Sequence, residues 1–321
     1  MDINAVVVSS FDHPPRWEPF DLPTPADEDQ EVVDVLAVGL HPRVRSGASG
    51  KHYTSTGKLP LVPGIDGVGR RADGRVVYFV ADDDLAGPMA TRTVIDIRRS
   101  VPLPDGADVV KIAAAMNPAM SAWVALRRRV PIQPGQSVLI LGATGNAGQM
   151  AIQVAKRLGA GRVVGAGRDQ ARLATLTGLG ADATVALTDD ADATAAALAK
   201  EAAEVDLVID YLWGKPASEA IMALLQGRAD RSRELNWIQI GSMAGPTIEL
   251  PSVALRSANF RLQGNGQGAV STRAYLAELP SLIDEIDGGG IAVTAQPVPL
   301  ADVETAWTAP EVPGVRTVLV A

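Results

Sequence analysis

The seven residues Gly142-Ala143-Thr144-Gly145-Asn146-Ala147-Gly148 are spaced to hold a phosphate. They follow an apolar run at 137–141, which reads as a buried parallel strand, and lead straight into a helix expected at 147–158. Gly145 lets the backbone approach a pyrophosphate, and the helix start aims free N–H groups and a partial positive charge at it. Gly148 lets that helix pack closely on the sheet. The run is a variant of the G-x-G-x-x-G fingerprint, with Ala143 in place of its first glycine. Thr144, Gly145, Asn146 and Ala147 are thus expected to cradle a dinucleotide, against the competing reading of a tight packing turn.

A second strand is expected to end near Gly165-Ala166-Gly167-Arg168-Asp169. An NAD enzyme places Asp or Glu there, about 20 residues past the fingerprint, to bond the ribose 2′-hydroxyl. Gly167 stands at that position, with Arg168 beside it and Arg172 one helical turn on. A 2′-phosphate suits that space and charge, whereas a carboxylate would repel it. Asp169 competes for the role but is better placed as a helix N-cap. The expected cofactor is NADPH.

Two other chemistries are set aside. Tyr211-Leu212-Trp213-Gly214-Lys215 matches Y-x-x-x-K, a catalytic pair that needs one continuous helix face, and Gly214 and Pro216 interrupt any such helix. Cysteine is absent, and His13, His41 and His52 are the only imidazoles, so no metal site is expected.

The elements that must position these residues show as texture. Residues 1 to about 115 carry short apolar runs at 31–38, 75–80 and 93–97 between turn signals, an irregular β domain without a helix-length amphipathic pattern. A helix is expected at 111–129, bent or split by Pro118. Strands at 137–141, 162–166, 183–187, 206–210, 236–240 and 260–263 then alternate with helices at 147–158, 169–177, 191–203 and 216–226. That alternation predicts a doubly wound parallel sheet of about six strands. A helix at 272–286, a turn at Gly288-Gly289-Gly290, a strand at 292–298, a helix at 301–307 and a strand at 315–320 break the alternation, so the tail is expected to return to the first domain.

The chain has 321 residues, 47% of them hydrophobic, and a net charge of −8, which disfavours a nucleic-acid partner. No apolar run reaches the roughly 18 residues of a membrane span; the nearest, 112–126, is interrupted by Asn117, Pro118 and Ser121. The start Met1-Asp2-Ile3-Asn4 lacks a basic signal-peptide region, so a cytoplasmic location is expected.

The order of these parts resembles the medium-chain dehydrogenase/reductase superfamily over essentially the whole chain. Leu59-Pro60-Leu61-Val62-Pro63-Gly64-Ile65-Asp66-Gly67-Val68-Gly69 is similar to its proline-glycine segment, with Ile65 and Asp66 where zinc alcohol dehydrogenases carry His-Glu. Gly178-Leu179-Gly180-Ala181-Asp182 is similar to its segment before the third strand. The resemblance is to the zinc-free, quinone oxidoreductase-like branch. It implies a GroES-like catalytic domain at 1–117, completed by 266–321, and an NADPH-binding Rossmann domain at 118–265. It places Asn117, Ser121, Gly241, Ser242 and Asn265 around the nicotinamide half and Arg172 against the 2′-phosphate, and Tyr211 is a further expected cofactor-binding residue. It also implies a homodimer paired through the last strand of the cofactor sheet. Two departures stand out: His41 replaces a residue that is commonly Asn, and the stretch from Arg45 to Tyr53 is longer than the usual Arg-x-Gly-x-Tyr. The segment 69–89 is shorter than usual, which would leave the substrate mouth more open.

The implied reaction is hydride transfer from NADPH to a quinone or an α,β-unsaturated carbonyl. Tyr53 and His41 are the expected donors to the product oxyanion, against the plainer readings of loop packing for Tyr53 and a structural hydrogen bond for His41. An enoyl-thioester reductase and a non-catalytic NADPH-binding sensor or structural protein are the alternatives.

Overall fold

A computed structural model describes residues 1–81, 86–310, 312 and 314–321. The segment 69–89 therefore includes four residues outside those described, 82–85. The chain divides into two compact units, Met1–Asn117 with Leu279–Ala321, and Pro118–Glu278.

The first unit is built on strand Gln30–Gly39, whose ten residues present Val33, Val35, Ala37 and Val38 to the interior. It pairs antiparallel with Asp66–Arg70, Arg92–Asp96 and Val315–Val320. Val76–Val80 and then Ser100–Pro102 extend the sheet on one side, and Thr294–Pro299 joins Val315–Val320 in parallel on the other. The final strand of the chain is thus part of this sheet. A separate hairpin of Asp2–Val7 and Arg16–Asp21 packs its apolar face into the same core. Over residues 1 to about 115 the sequence showed no helix-length amphipathic pattern, yet Pro42–Ala48 forms a short helix. Proline starts it at little cost, because a first-turn N–H has no partner in a helix anyway.

The second unit holds six parallel strands: Ser137–Leu141, Arg162–Gly167, Ala183–Ala186, Leu207–Asp210, Leu235–Gln239 and Phe260–Gly264. Numbered along the chain, their order is 3-2-1-4-5-6. Helices Asn146–Arg157, Ala191–Ala202 and Gly214–Gly227 bury Ile152, Leu198, Ile221 and Leu224 against this sheet. The chain thus holds the Rossmann sheet that the strand–helix alternation predicts and the GroES-like unit that the family resemblance implies.

Three elements differ from expectation, the first being the helix expected at 169–177, which is a short helix, Gln170–Leu173, followed by a 3-10 turn, Leu176–Leu179. Pro118 neither splits nor ends its helix, which runs unbroken over Val109–Val124 and finishes in a π-helical turn, Ala125–Arg129. Ile112–Met116 and Ala119–Met120 are almost wholly buried, and packing on both sides of the proline offsets the one lost hydrogen bond. At 21 residues this helix is long and apolar enough to cross a membrane, but 72% of its apolar window is buried inside the protein. The single helix expected at 272–286 is two, Thr272–Leu276 and Leu279–Asp287. Ser271 caps the first through the N–H of Ala274, and Pro280 fits the first turn of the second.

Candidate functional site

The carboxyl ends of the parallel strands gather most of the residues singled out in the sequence. Strand order reverses between Ser137–Leu141 and Leu207–Asp210, the crevice where open α/β sheets bind ligands.

The fingerprint turn leaves the first strand through Gly142, at φ +84°, a value open to glycine. Gly145 is the N-cap of Asn146–Arg157 and supplies no side-chain cap, and no acidic residue lies in the first turn. The helix start therefore presents its N–H groups and its positive dipole end without an internal partner. At Gly148 a Cβ would lie 2.3 Å from Gly142 O and 2.6 Å from Ala143 Cα, so the helix packs against the turn with only hydrogen between them. An uncapped helix start behind a glycine cradle fits an anionic dinucleotide.

Gly167 is buried at the end of the second strand, and Arg168 beside it is exposed. Asp169 takes the N-cap position of Gln170–Leu173 and accepts the N–H of Arg172. Its carboxylate also lies 3.2 Å from Arg172 Nε. Arg172 reaches back and donates from Nη1 to Thr144 O at 3.0 Å, tying the second strand's loop to the fingerprint turn. No carboxylate occupies position 167, and Asp169 is committed to its helix.

At the fourth strand Tyr211 is buried, and its hydroxyl lies 2.9 Å from Ser121 Oγ. Burial pushes the Tyr211 phenol well above its ordinary value, with the Ser121 hydrogen bond pulling weakly the other way, so it stays protonated. Ser121 Oγ donates to Pro118 O, and Asn265 donates from Nδ2 to Ser121 O at 2.9 Å. Ser121, Tyr211 and Asn265 thus form one connected group. Gly241 sits against Tyr211, where a Cβ would come 2.6 Å from Tyr211 O, and Ser242 beyond it is exposed. The Y-x-x-x-K reading stays rejected: Lys215 is 78% exposed and pairs with Glu219, away from buried Tyr211.

Asp210 is the residue that sequence reasoning missed. It is fully buried; Oδ1 accepts the N–H groups of Leu212 and Trp213, and Oδ2 accepts Trp237 Nε1 at 3.0 Å. Burial raises its pKa against those hydrogen bonds. The carboxylate holds the turn in which Trp213 takes φ +53°, a strained value for a bulky residue. Its signal in the sequence was an acid ending an otherwise apolar strand, Leu207-Val208-Ile209-Asp210.

In the first unit His41 is 2% exposed. Its Nε2 lies 3.5 Å from Asp66 Oδ1, beyond a well-formed hydrogen bond, and neither atom has a closer partner. Asp66 Oδ2 accepts the hydroxyl of buried Tyr78 at 2.8 Å. Burial lowers the His41 pKa, opposed by Asp66, so the imidazole is neutral. Tyr53 is 72% exposed and stacks on His52, ring centroids 4.3 Å apart. His41 and Tyr53 are thus in contrasting settings. Asn117 is half-buried within the long helix. Among the described residues no group of three or more His, Asp or Glu is placed to hold a metal ion.

A family model described as "Zinc-binding dehydrogenase" matches residues 147–229, a segment with neither histidine nor cysteine. A probable NADPH-dependent quinone reductase of Emericella nidulans is 28% identical over 361 aligned residues, covering 99% of this chain and all of that one. An NADPH-dependent alkenal/one oxidoreductase of Arabidopsis thaliana is 28% identical over 182 residues, 51% of this chain and 46% of that one. Among solved structures, the quinone oxidoreductase of Thermus thermophilus, known also in complex with NADPH, superposes with a TM-score of 0.79 at 26% identity. It covers 99% of this chain and 100% of that one.

Proposed function

We propose that this chain, a quinone oxidoreductase-like member of the medium-chain dehydrogenase/reductase superfamily, is an NADPH-dependent oxidoreductase that reduces a quinone or an α,β-unsaturated carbonyl. The observation that carries the cofactor is the pairing of an uncapped helix start at Gly145 with a glycine, not an acid, at position 167. NADPH, when bound, supplies the hydride, and the protein supplies binding, orientation and exclusion of water.

The roles divide along the chain. Thr144, Gly145, Asn146 and Ala147 hold the pyrophosphate by backbone N–H groups, and Gly167, Arg168 and Arg172 make room and charge for the 2′-phosphate. Ser121, Tyr211, Gly241, Ser242 and Asn265, with Asn117, take the nicotinamide half. Tyr211 stays protonated and orients the Ser121 hydroxyl. Of the two candidate donors to the product oxygen, exposed Tyr53 carries a proton that can be handed over and replaced from water. Buried His41 acts through Asp66 and Tyr78 on the shape of its loop. In this reading 1–117 with 266–321 is the catalytic domain, 118–265 is the cofactor domain, no metal takes part, and the enzyme is a cytoplasmic homodimer.

The test is NADPH oxidation, followed by absorbance, against quinones, enones and enoyl thioesters, with NADH alongside. Turnover of quinones or enones with NADPH ahead of NADH is the expected result. Turnover confined to enoyl thioesters reassigns the substrate. Tight NADPH binding with no turnover on any acceptor replaces the reductase by a sensor or structural protein.

A further inference from the structure

We propose that Thr144 is a specificity-determining residue: its side chain keeps position 167 a glycine and so keeps the site selective for a 2′-phosphorylated dinucleotide. This rests on the NADPH reading above and deepens it.

A Cβ at Gly167 would lie 2.7 Å from Thr144 Cγ2, 2.9 Å from Thr144 Oγ1 and 3.3 Å from Thr144 Cβ. The backbone at 167 belongs to the strand Arg162–Gly167 and is not among the positive-φ glycines, so L residues suit it and the obstacle is the threonine alone. Threonine cannot rotate clear. Its two γ atoms fill two of three staggered positions, and both of those positions face Gly167, so every rotamer leaves an atom there. Nor can its backbone easily withdraw. Thr144 O accepts Arg172 Nη1 at 3.0 Å and Gln149 Nε2 at 3.4 Å, which fastens the turn from both sides.

An acid at 167 is the group that would bond a ribose 2′-hydroxyl and repel a 2′-phosphate. With Thr144 in place that side chain has no room at its first carbon. The preference for NADPH is therefore set by a coupled pair, with the determinant on the fingerprint turn and its effect on the second strand.

The test is a double-mutant cycle read by direct binding of NADPH and NADH (calorimetry or nucleotide fluorescence) and by thermal melting. Gly167→Ala, which adds only the Cβ, is expected to weaken NADPH roughly tenfold and lower the melting temperature, and Thr144→Gly in the same chain to reverse most of both. Gly167→Asp alone is expected to lose NADPH without gaining NADH, and Thr144→Gly with Gly167→Asp to bind NADH about tenfold more tightly than Gly167→Asp alone. If Thr144→Gly disturbs the turn, Thr144→Ala carries the cycle, because it leaves only the Cβ at 3.3 Å. Independent effects of the two positions on binding and melting overturn the proposal, as does Gly167→Asp gaining NADH unaided. A wild-type chain that prefers NADH, or binds neither nucleotide, overturns the NADPH reading itself. Wild-type preference for NADPH without coupling between 144 and 167 removes only the role of Thr144.

Discussion

Single residues decide how the two units respond to acid and to loss of a buried partner. His41 is held neutral, first by burial, then by Arg316 and Arg43 nearby, with Asp66 opposing. Below its ordinary value of 6.5 the unfolded chain takes up a proton that the folded chain refuses. Stability is therefore present above pH 6.5 and falls as pH drops toward the lower folded value, by at most about 1.4 kcal/mol per pH unit. His41→Asn removes that proton, so urea unfolding between about pH 7.5 and about pH 5.5 should show wild type losing more stability than the variant. Equal losses would mean that His41 is charged when folded. Asp210 gives a second expectation. Asp210→Ala leaves one buried and two part-buried N–H groups without their acceptor and should cost about 2–3 kcal/mol in urea unfolding, with looser NADPH binding because the Tyr211 turn is released. The glycine turn was legible because glycine spacing is backbone geometry written in residue types. The His41 environment was not, because its partners Asp66 and Tyr78 come from strands far along the chain.

At the scale of elements, local pattern was a good guide wherever tertiary packing agreed with it. The parallel strands emerged within a residue or so of expectation, since each is an apolar run bounded by turn residues. Of the two outcomes expected at Pro118, a bend or a split, the split does not occur, because a helix buried on both sides of a proline is held by its packing. The tail helix misled in the opposite sense: one continuous pattern concealed a cap at Ser271 and a restart at Pro280. Gly148 shows how an element's placement becomes function. Gly148→Ala should raise intrinsic helix propensity by about 1 kcal/mol. Its Cβ would nevertheless meet backbone atoms at 2.3 and 2.6 Å, which a flexible side chain cannot relieve. The net expectation is a loss of about 1–3 kcal/mol in thermal unfolding, together with weaker NADPH binding as the helix start is pushed off the strand. A variant as stable as wild type that binds NADPH as well would show that close packing here is incidental.

At the scale of the whole molecule, a doubly wound parallel sheet of about six strands followed from alternation, while its order came from the structure, and an edge cannot announce what covers it. Phe260–Gly264 ends the parallel sheet and pairs only with Leu235–Gln239 among the described residues. Its outer side is touched by Arg129, whose Nε donates to Gly264 O at 3.0 Å. Beside it, helix Ser252–Arg256 leaves Val253 and Leu255 about half exposed. An open edge flanked by apolar side chains favours strand pairing with a second copy, and a twofold axis closes that contact without leading to a fibre. Asn265 donates its N–H inward to Gln239 O, so by the two-residue alternation of a strand the N–H of Leu262 points outward. Leu262→Pro therefore removes an edge donor while leaving the inner ladder in place. Sedimentation should give wild type twice the mass of one chain and the variant the mass of one, with unchanged far-ultraviolet dichroism. Each chain carries a net charge of −8, so added salt should tighten the dimer by screening the repulsion between copies. A wild-type chain that sediments as a single copy at every salt concentration would leave this edge to be protected by its own short length and by Arg129.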